Sequence, residues 1–382
     1  RTFPPQHRRL KRCSYARMDD DHDTVSGISL VDLEKVRPQS VAAQAAIDSF
    51  DSAARALQAG AKLPPPSTQE VERFEIGHSQ AWLQHLSDQG YVVLKNAFDE
   101  SELRHAHDLL WEFLTPATGW ERGQMQTWSQ TGFRMCGLPH WGIIKARGAG
   151  QSEVVWFART RPSVKDVFAR IWGEHSLMSS YDGFNVFLPW HHLGRATKTE
   201  AGWLHADQGD QRPGLVTVQG FVSLMDQDAT TGGLHVIPSS HHLHEKWVRG
   251  HPGGVNNFCM IDPHRYGREL LFMPQQLVSC KAGDLVLWDS RLAHCNTPAL
   301  QQPASPDNEL LRVALYVCLT PKSLASPADL ARRLDAYNEG VSCNHWPLFS
   351  QQEFDQYFRA NSLGFQVKNF DEATDGRRDL IC

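Results

Sequence analysis

No apolar run in this sequence approaches the roughly 20 residues that a membrane-spanning helix needs, so no bilayer span is expected. The eight cysteines, at 13, 136, 259, 280, 295, 318, 343 and 382, include no Cys-x-x-Cys pair, which removes zinc-ribbon and dithiol redox patterns. They read as reduced, mostly core thiols, Cys295 among them. The sequence has neither an Asn-x-Ser/Thr sequon nor an apolar leader, and the expected location is intracellular, in the cytoplasm. An excess of one charge is missing too. With 38 Lys and Arg against 43 Asp and Glu, the net charge of −5 offers no general electrostatic footprint, so no nucleic-acid partner is expected. No internal repeat is visible. What is present is core material: 382 residues, 41% hydrophobic, with 12 Trp, enough for one large domain with appendages.

The first 17 residues carry five Arg, one Lys and no acid ahead of Met18, and read as a disordered tail: either an organelle-targeting fragment or non-native sequence upstream of a start. The run Asp19-Asp-Asp-His-Asp23 reads as a solvated charge cluster. Helical periodicity from Val41 to Leu57 stops at Leu63-Pro-Pro-Pro, which makes 1–70 an N-terminal extension with one helix and 71–382 the main domain. Within 82–175 helices alternate with loops. Asp99 and Glu102 fit a capping box, and apolar residues at 164, 167, 168, 171 and 172 mark an amphipathic helix. From Phe184 to Leu319 short β-like runs recur between Gly, Pro and Asp turns. The expected fold is mainly β with flanking helices: a double-stranded β-helix, or cupin-like jelly roll, over about 180–320. Helices follow over 324–382, one starting at Ser326 with Pro327 in its first turn and a shorter one near Gln351.

The chemistry concentrates in three places. His205-Ala-Asp207 is a weak motif alone, since 19 His among this many acids give about one such pair by chance. Yet no other histidine here has a carboxylate two residues on, and i and i+2 of a strand share a face. Downstream, Ala-Gly-Asp-Leu-Val-Leu-Trp-Asp-Ser reads as a turn feeding a strand, with Val286, Trp288 and then His294 on the even-numbered side. Two imidazoles and one carboxylate suit Fe(II) with positions left open for a co-substrate and oxygen. The run 311–319 alternates as well, placing Arg312, Ala314, Tyr316 and Cys318 on one face. A buried arginine needs an anionic partner, either an acidic side chain or a ligand carboxylate; an edge-strand arginine reaching water is the alternative.

Taken in order, Gly90-Tyr-Val-Val-Leu-Lys, the Asp99-Glu-Ser-Glu-Leu-Arg helix start, Val218-Gln-Gly-Phe-Val-Ser-Leu-Met-Asp226 and Gly232-Gly-Leu-His-Val-Ile-Pro-Ser-Ser-His241 resemble the phytanoyl-CoA dioxygenase-like branch of the Fe(II)/2-oxoglutarate oxygenases over roughly 82–320. The resemblance implies His205, Asp207 and His294 as ligands of Fe(II), and Arg312 as the anchor for the distal carboxylate of 2-oxoglutarate, with O2 as the oxidant and succinate and CO2 released. Two departures stand out. Ser239 replaces the family's usual glycine, and Arg312 lies 18 residues after His294 with an apparent insertion over 301–309, which keeps Arg291 in view as a rival anchor. Gln219, Asn185 and Asn296 are candidate polar contacts to the co-substrate. Related halogenases lack the carboxylate that Asp207 supplies, so hydroxylation is expected rather than halogenation, with desaturation, ring expansion and demethylation left open by the same chemistry.

The expected substrate is a small organic metabolite, and nothing points to a CoA thioester. Trp203 and Trp190-His-His192 are candidates for the entrance. The His241-His-Leu-His244 cluster has ligand spacing but no acid or thiol to complete it, and reads as a solvated loop. The competing readings are an oxygenase of protein or nucleic-acid side chains, a cupin-like metal enzyme without 2-oxoglutarate, and a jelly-roll binding module.

Overall fold

Alternation of apolar residues along short strands produces two sheets that share an inner core. The computed structural model describes residues 27–251, 258–265, 267–303, 308–350, 353 and 376–382. The basic tail, the Asp19–Asp23 cluster and the helix expected near Gln351 lie outside the described residues. In chain order the strands begin with β1 (Arg73–Glu75), β2 (Tyr91–Lys95), β3 (Gly137–Leu138), β4 (Ile143–Ile144), β5 (Leu177–Ser179), β6 (Phe184–Phe187), β7 (His205–Ala206) and β8 (Val218–Ser223). They continue with β9 (Gly232–Val236), β10 (Cys259–Met260), β11 (Gln276–Val278), β12 (Leu285–Asp289), β13 (His294–Pro298), β14 (Arg312–Val317) and β15 (Leu319–Pro321).

An eight-stranded sheet runs β1-β2-β12-β8-β14-β6-β4-β3, and a five-stranded sheet runs β10-β7-β13-β9-β11, while β15 pairs with β5 alone. Apart from the parallel β1–β2 pair, the strand pairings are antiparallel. The period of two decides which face each side chain takes. Tyr91, Val93, Phe221, Val286, Trp288 and Ala314 of the large sheet meet Leu234, Val236 and Val278 of the smaller one. Their sequence neighbours Val92, Leu94, Leu285, Leu287, Val313 and Leu315 point outward into a helical layer. The mainly β, jelly-roll expectation is met.

That layer is built from α1 (Leu30–Val36), α3 (Ser79–Gln89), α4 (Glu100–Thr118), α5 (Gln130–Cys136), α6 (Glu153–Thr160) and α7 (Pro162–Trp172), whereas α2 (Val41–Gln58) lies on the smaller sheet. The Asp99/Glu102 capping box is formed at the start of α4, and α7 buries Val164, Val167, Phe168 and Ile171 as its spacing predicts. Ser326 caps the helix Pro327–Asn338. The N-terminal segment has two helices where the periodicity predicts one. The seven residues of α1 are too few to show a period, and a Ser29/Asp32 capping box starts the helix. α1 inserts Leu30 into the main core, and α2 lays Ala46, Phe50 and Ala53 against the outer face of the smaller sheet. Cys295 lies in that outer cluster, as its strand parity implies.

Two turns matter for the site. α3 ends at Gly90 with φ +79°, where a Cβ would lie 2.6 Å from both His241 Nδ1 and Leu292 Cδ1, so only glycine fits. Ser239 adopts φ 63° itself, in the place the resemblance gives to glycine. Its Oγ donates to Asp88 O at 2.9 Å and its N–H to Gln89 O at 2.9 Å, bonds that offset the cost of a left-handed conformation for a residue with a Cβ.

Candidate functional site

The first residues of β7 and β13 are His205 and His294, and they face each other as an antiparallel Cα pair. His294 therefore opens the strand after β12 rather than closing β12 itself. Asp207, just past β7, is held by its N–H to Ser290 O at 3.0 Å. Its carboxylate lies 3.4 Å from His205 Nε2 and 3.3 Å from His294 Nε2. One ligand atom from each of the three falls within 4.8 Å of the others, the one such group among the described residues.

Each imidazole is oriented by its far nitrogen. His205 Nδ1 donates to Trp203 O at 3.1 Å and His294 Nδ1 to Leu292 O at 2.8 Å, which fixes the tautomer and turns both Nε2 lone pairs toward the carboxylate. His294 Nε2 also accepts from Trp288 Nε1 at 3.2 Å. Burial lowers the pKa of His205. Burial would raise that of Asp207, yet the neighbouring imidazoles of His345, His205 and His294 hold it well below the usual carboxylate range. Two imidazole nitrogens and one carboxylate oxygen gathered about one point are the donor set that Fe(II) takes in non-haem oxygenases, so the residues fit such an ion.

These residues line a cavity of about 390 Å3. Arg312, the first residue of β14, lies in its wall and is 1% exposed. Its Nε donates to Gln227 Oε1 at 2.7 Å, and Nη1 donates to Asn185 Oδ1 at 2.6 Å and Asn296 Oδ1 at 3.0 Å. The faces of Phe187 and Phe221 flank the guanidinium, each 5.0 Å away. Among the described residues no carboxylate pairs with it, and burial pulls its pKa down to about 10. An arginine held by neutral amides and aromatic faces retains a full charge to offer an incoming anion.

Arg291 differs. It donates from Nε to Asp289 Oδ1 at 2.9 Å and from Nη1 to Glu34 Oε2 at 2.9 Å, and its Nη2 also binds Asp289. Burial opposes its charge, but those two carboxylates hold its pKa above the ordinary value. It does not line the cavity.

The other residues flagged from sequence divide clearly. Gln219 lines the cavity and donates from Nε2 to Asp207 Oδ2 at 2.8 Å. Asn185 and Asn296 turn their oxygens to Arg312; of the two, Asn296 reaches the cavity wall. Trp203 lines it, stacked on His205 with centroids 5.0 Å apart and on Trp141 at 5.2 Å. Trp190, His191 and His192 do not line it. The His241–His244 cluster is neither a second metal group nor solvated: His241 Nε2 donates to Ser87 O at 2.9 Å and His242 Nε2 to Asp88 O at 3.1 Å, clamping the turn to the end of α3. The buried His241 and His244 and the half-buried His242, each bonded to a main-chain carbonyl, are structural.

Sequence reasoning missed the far wall. His345 is buried with Nδ1 3.9 Å from Asp207 Oδ2, and Asn344, Asp182 and Lys145 line the same cavity. Burial pushes the carboxyl of Asp182 up. Residues 341–346 follow a helix without alternation or motif, so nothing in the sequence marks them.

A sequence model of the phytanoyl-CoA dioxygenase (PhyH) family matches residues 86–298. The "Ava biosynthesis cluster protein O" of Aspergillus versicolor is 25% identical over 312 residues, covering 74% of this chain and 92% of that protein. A "Putative phytanoyl-CoA dioxygenase" of Dictyostelium discoideum is 21% identical over 240 residues, 54% of this chain and 67% of that one. Among solved structures, the GlcNAc Inducible Gene 2 protein of Candida albicans superposes with a TM-score of 0.54 at 13% identity, covering 93% of this chain and 86% of that one, a likeness of fold.

Proposed function

Because the chain belongs to the phytanoyl-CoA dioxygenase family, and so is an Fe(II)- and 2-oxoglutarate-dependent dioxygenase, we propose that it hydroxylates a small organic metabolite in the cavity beside His205, Asp207 and His294. The observation that carries the reading is Arg312, a buried cation on the cavity wall without a carboxylate partner among the described residues. A cupin-like enzyme with no use for a diacid would leave that charge uncompensated at a cost of several kcal/mol.

In this reading His205, Asp207 and His294 hold Fe(II), and Arg312 binds the distal carboxylate of 2-oxoglutarate and fixes the acid's orientation. The bound pair supplies the chemistry of the class, activating O2 with decarboxylation to succinate and CO2 and placing one oxygen on a substrate carbon. The remaining work belongs to side chains. Gln219 holds Asp207 Oδ2, leaving the other carboxylate oxygen to the metal. Asn185 and Asn296 hold the guanidinium so that its free edge faces the cavity. The stacked Trp141 and Trp203 shield the metal ligands from water. The presence of Asp207 leaves no ligand position for a halide, which favours hydroxylation.

The cavity volume of about 390 Å3 suits a metabolite rather than a folded polymer segment. We assign the catalytic unit to 71–382, with α1 and α2 covering it. Seven cysteines among the described residues are free, which supports a reducing, intracellular location. Among the described residues no helix is long and apolar enough to cross a membrane.

The test is anaerobic titration of the Fe(II)-loaded protein with 2-oxoglutarate. A visible charge-transfer band from the chelated keto acid is the expected result; iron binding without that band would overturn the assignment. A second expectation concerns Gln219. Outer-shell partners of metal ligands are worth roughly 10- to 100-fold in metal affinity, so Gln219→Leu should weaken Co(II) binding by about that factor in a spectroscopic titration. Equal affinity in the two proteins would mean that Gln219 does not support Asp207.

A further inference from the structure

Buried polar side chains in folded proteins nearly always find a hydrogen-bond partner, so each exception asks for an explanation. Ser180 Oγ, Asn344 Nδ2 and His345 Nε2 are buried and have none, and all three residues line the cavity that holds the candidate metal ligands. His345 is 9% exposed.

2-Oxoglutarate bound at Arg312 cannot serve the Ser180 end of this group. Ser180 is tied through its N–H to Cys318 O at 2.8 Å, and Cys318 lies six residues along the chain from Arg312, roughly 20 Å at the rise of an extended strand. A five-carbon diacid does not span that distance and also reach the metal ligands. The wall is rigid as well. Cys343 N–H donates to Tyr181 O at 2.8 Å, Gln151 Nε2 donates to Val341 O at 2.9 Å, and Asn344 Oδ1 accepts from Trp346 N–H at 3.0 Å. That last bond leaves the amide nitrogen of Asn344 to the cavity.

We infer that Ser180, Asn344 and His345 form a preformed subsite for the polar end of the substrate, and that this end is an uncharged amide, presenting one acceptor and one donor. The inference rests on the oxygenase reading for which bond is oxidised, but not for the recognition itself. Asn344 Nδ2 can only donate. His345 Nδ1 lies 3.9 Å from the Asp207 carboxylate, whose negative charge favours the tautomer with the proton on Nδ1, in which Nε2 is an acceptor. The Ser180 hydroxyl serves in either sense. Lys145 and Asp182 line the same cavity with opposite charges, so neither an anion nor a cation is matched throughout. Toward the metal ligands the wall is flat and aromatic: Trp203 lies between Trp141 and His205, and Phe258 tilts over His205 at 4.3 Å. The fitting molecule is a planar, largely apolar body with an amide edge, its oxidised C–H lying between the two.

The probes are three fragments of one shape: indole-3-carboxamide, indole-3-carboxylate and 3-methylindole. Their dissociation constants are measured by equilibrium dialysis on the Fe(II)- and 2-oxoglutarate-loaded protein without oxygen. The carboxamide should bind about tenfold or more tightly than 3-methylindole, the usual value of partnering a buried polar group. Asn344→Leu and Ser180→Ala should each remove most of that preference while leaving the keto-acid band unchanged, which also shows that the variants are folded. Equal binding of carboxamide and 3-methylindole, a preference that survives both substitutions, or tightest binding of the carboxylate would overturn the subsite. If wild-type protein shows no keto-acid band, it is the cofactor reading that fails, and the same fragment series on metal-free protein still decides the amide subsite.

Discussion

Arg312→Ala is expected to raise the 2-oxoglutarate concentration for half-maximal turnover by about a hundredfold or more, whereas Arg291→Ala is expected to act on stability. Removing one partner of a buried, hydrogen-bonded charge pair costs about 2–5 kcal/mol, and each 1.4 kcal/mol or so is a factor of ten. For Arg312 the lost partner would be the proposed ligand carboxylate, because its protein neighbours are the neutral amides of Gln227, Asn185 and Asn296. For Arg291 the abandoned partners are Asp289 and Glu34 of the protein itself. Breaking such a pair leaves the buried carboxylate of Asp289 uncompensated, a loss of about 3–5 kcal/mol in folding, while Glu34 keeps Arg37 as a partner. Measuring KM for 2-oxoglutarate and the melting temperature of both variants separates the roles. A larger KM effect in Arg291→Ala than in Arg312→Ala would hand the anchor to Arg291.

Asp207→Ala should abolish iron-dependent turnover and the keto-acid band, an effect beyond the roughly 10- to 100-fold cost of losing an outer-shell partner. Two imidazoles would remain, with no negative charge to balance Fe(II). The fold should persist, since the substitution removes a buried charge that no arginine or lysine among the described residues pairs with and leaves only the Gln219 amide to find another partner. Succinate release from 2-oxoglutarate and thermal melting in the presence of a chelator report the two consequences separately. Turnover at the wild-type level would exclude Asp207 from the ligand set.

Much of this site was legible in the chain. His205-Ala-Asp207 has a spacing that puts both side chains on one face, and Arg312 interrupts an apolar strand where a charge is out of place. Strand parity correctly sent Val286, Trp288 and Ala314 inward and Cys295 outward. The Asp99/Glu102 cap and the apolar stripe of α7 are equally local. The misreadings share a different character. The histidines of 241–244 resembled a solvated loop, because their partners, the carbonyls of Ser87 and Asp88, are about 150 residues away in sequence. Arg291 stayed a rival for the same reason, since Glu34 reaches it from α1.

The sequence by itself determined the strand faces, the helix starts, the paired spacing of His205 and Asp207 as candidate ligands, and the odd arginine, because each depends on periodicity or on residues a few positions apart. Only the tertiary structure decided which arginine is free to bind an anion and which is neutralised, that His205 and His294 stand opposite each other across β7 and β13, and that Ser180, Asn344 and His345 close the cavity. Pairings between distant segments are set by how the sheets and helices pack, and a chain read in one dimension carries no record of that packing.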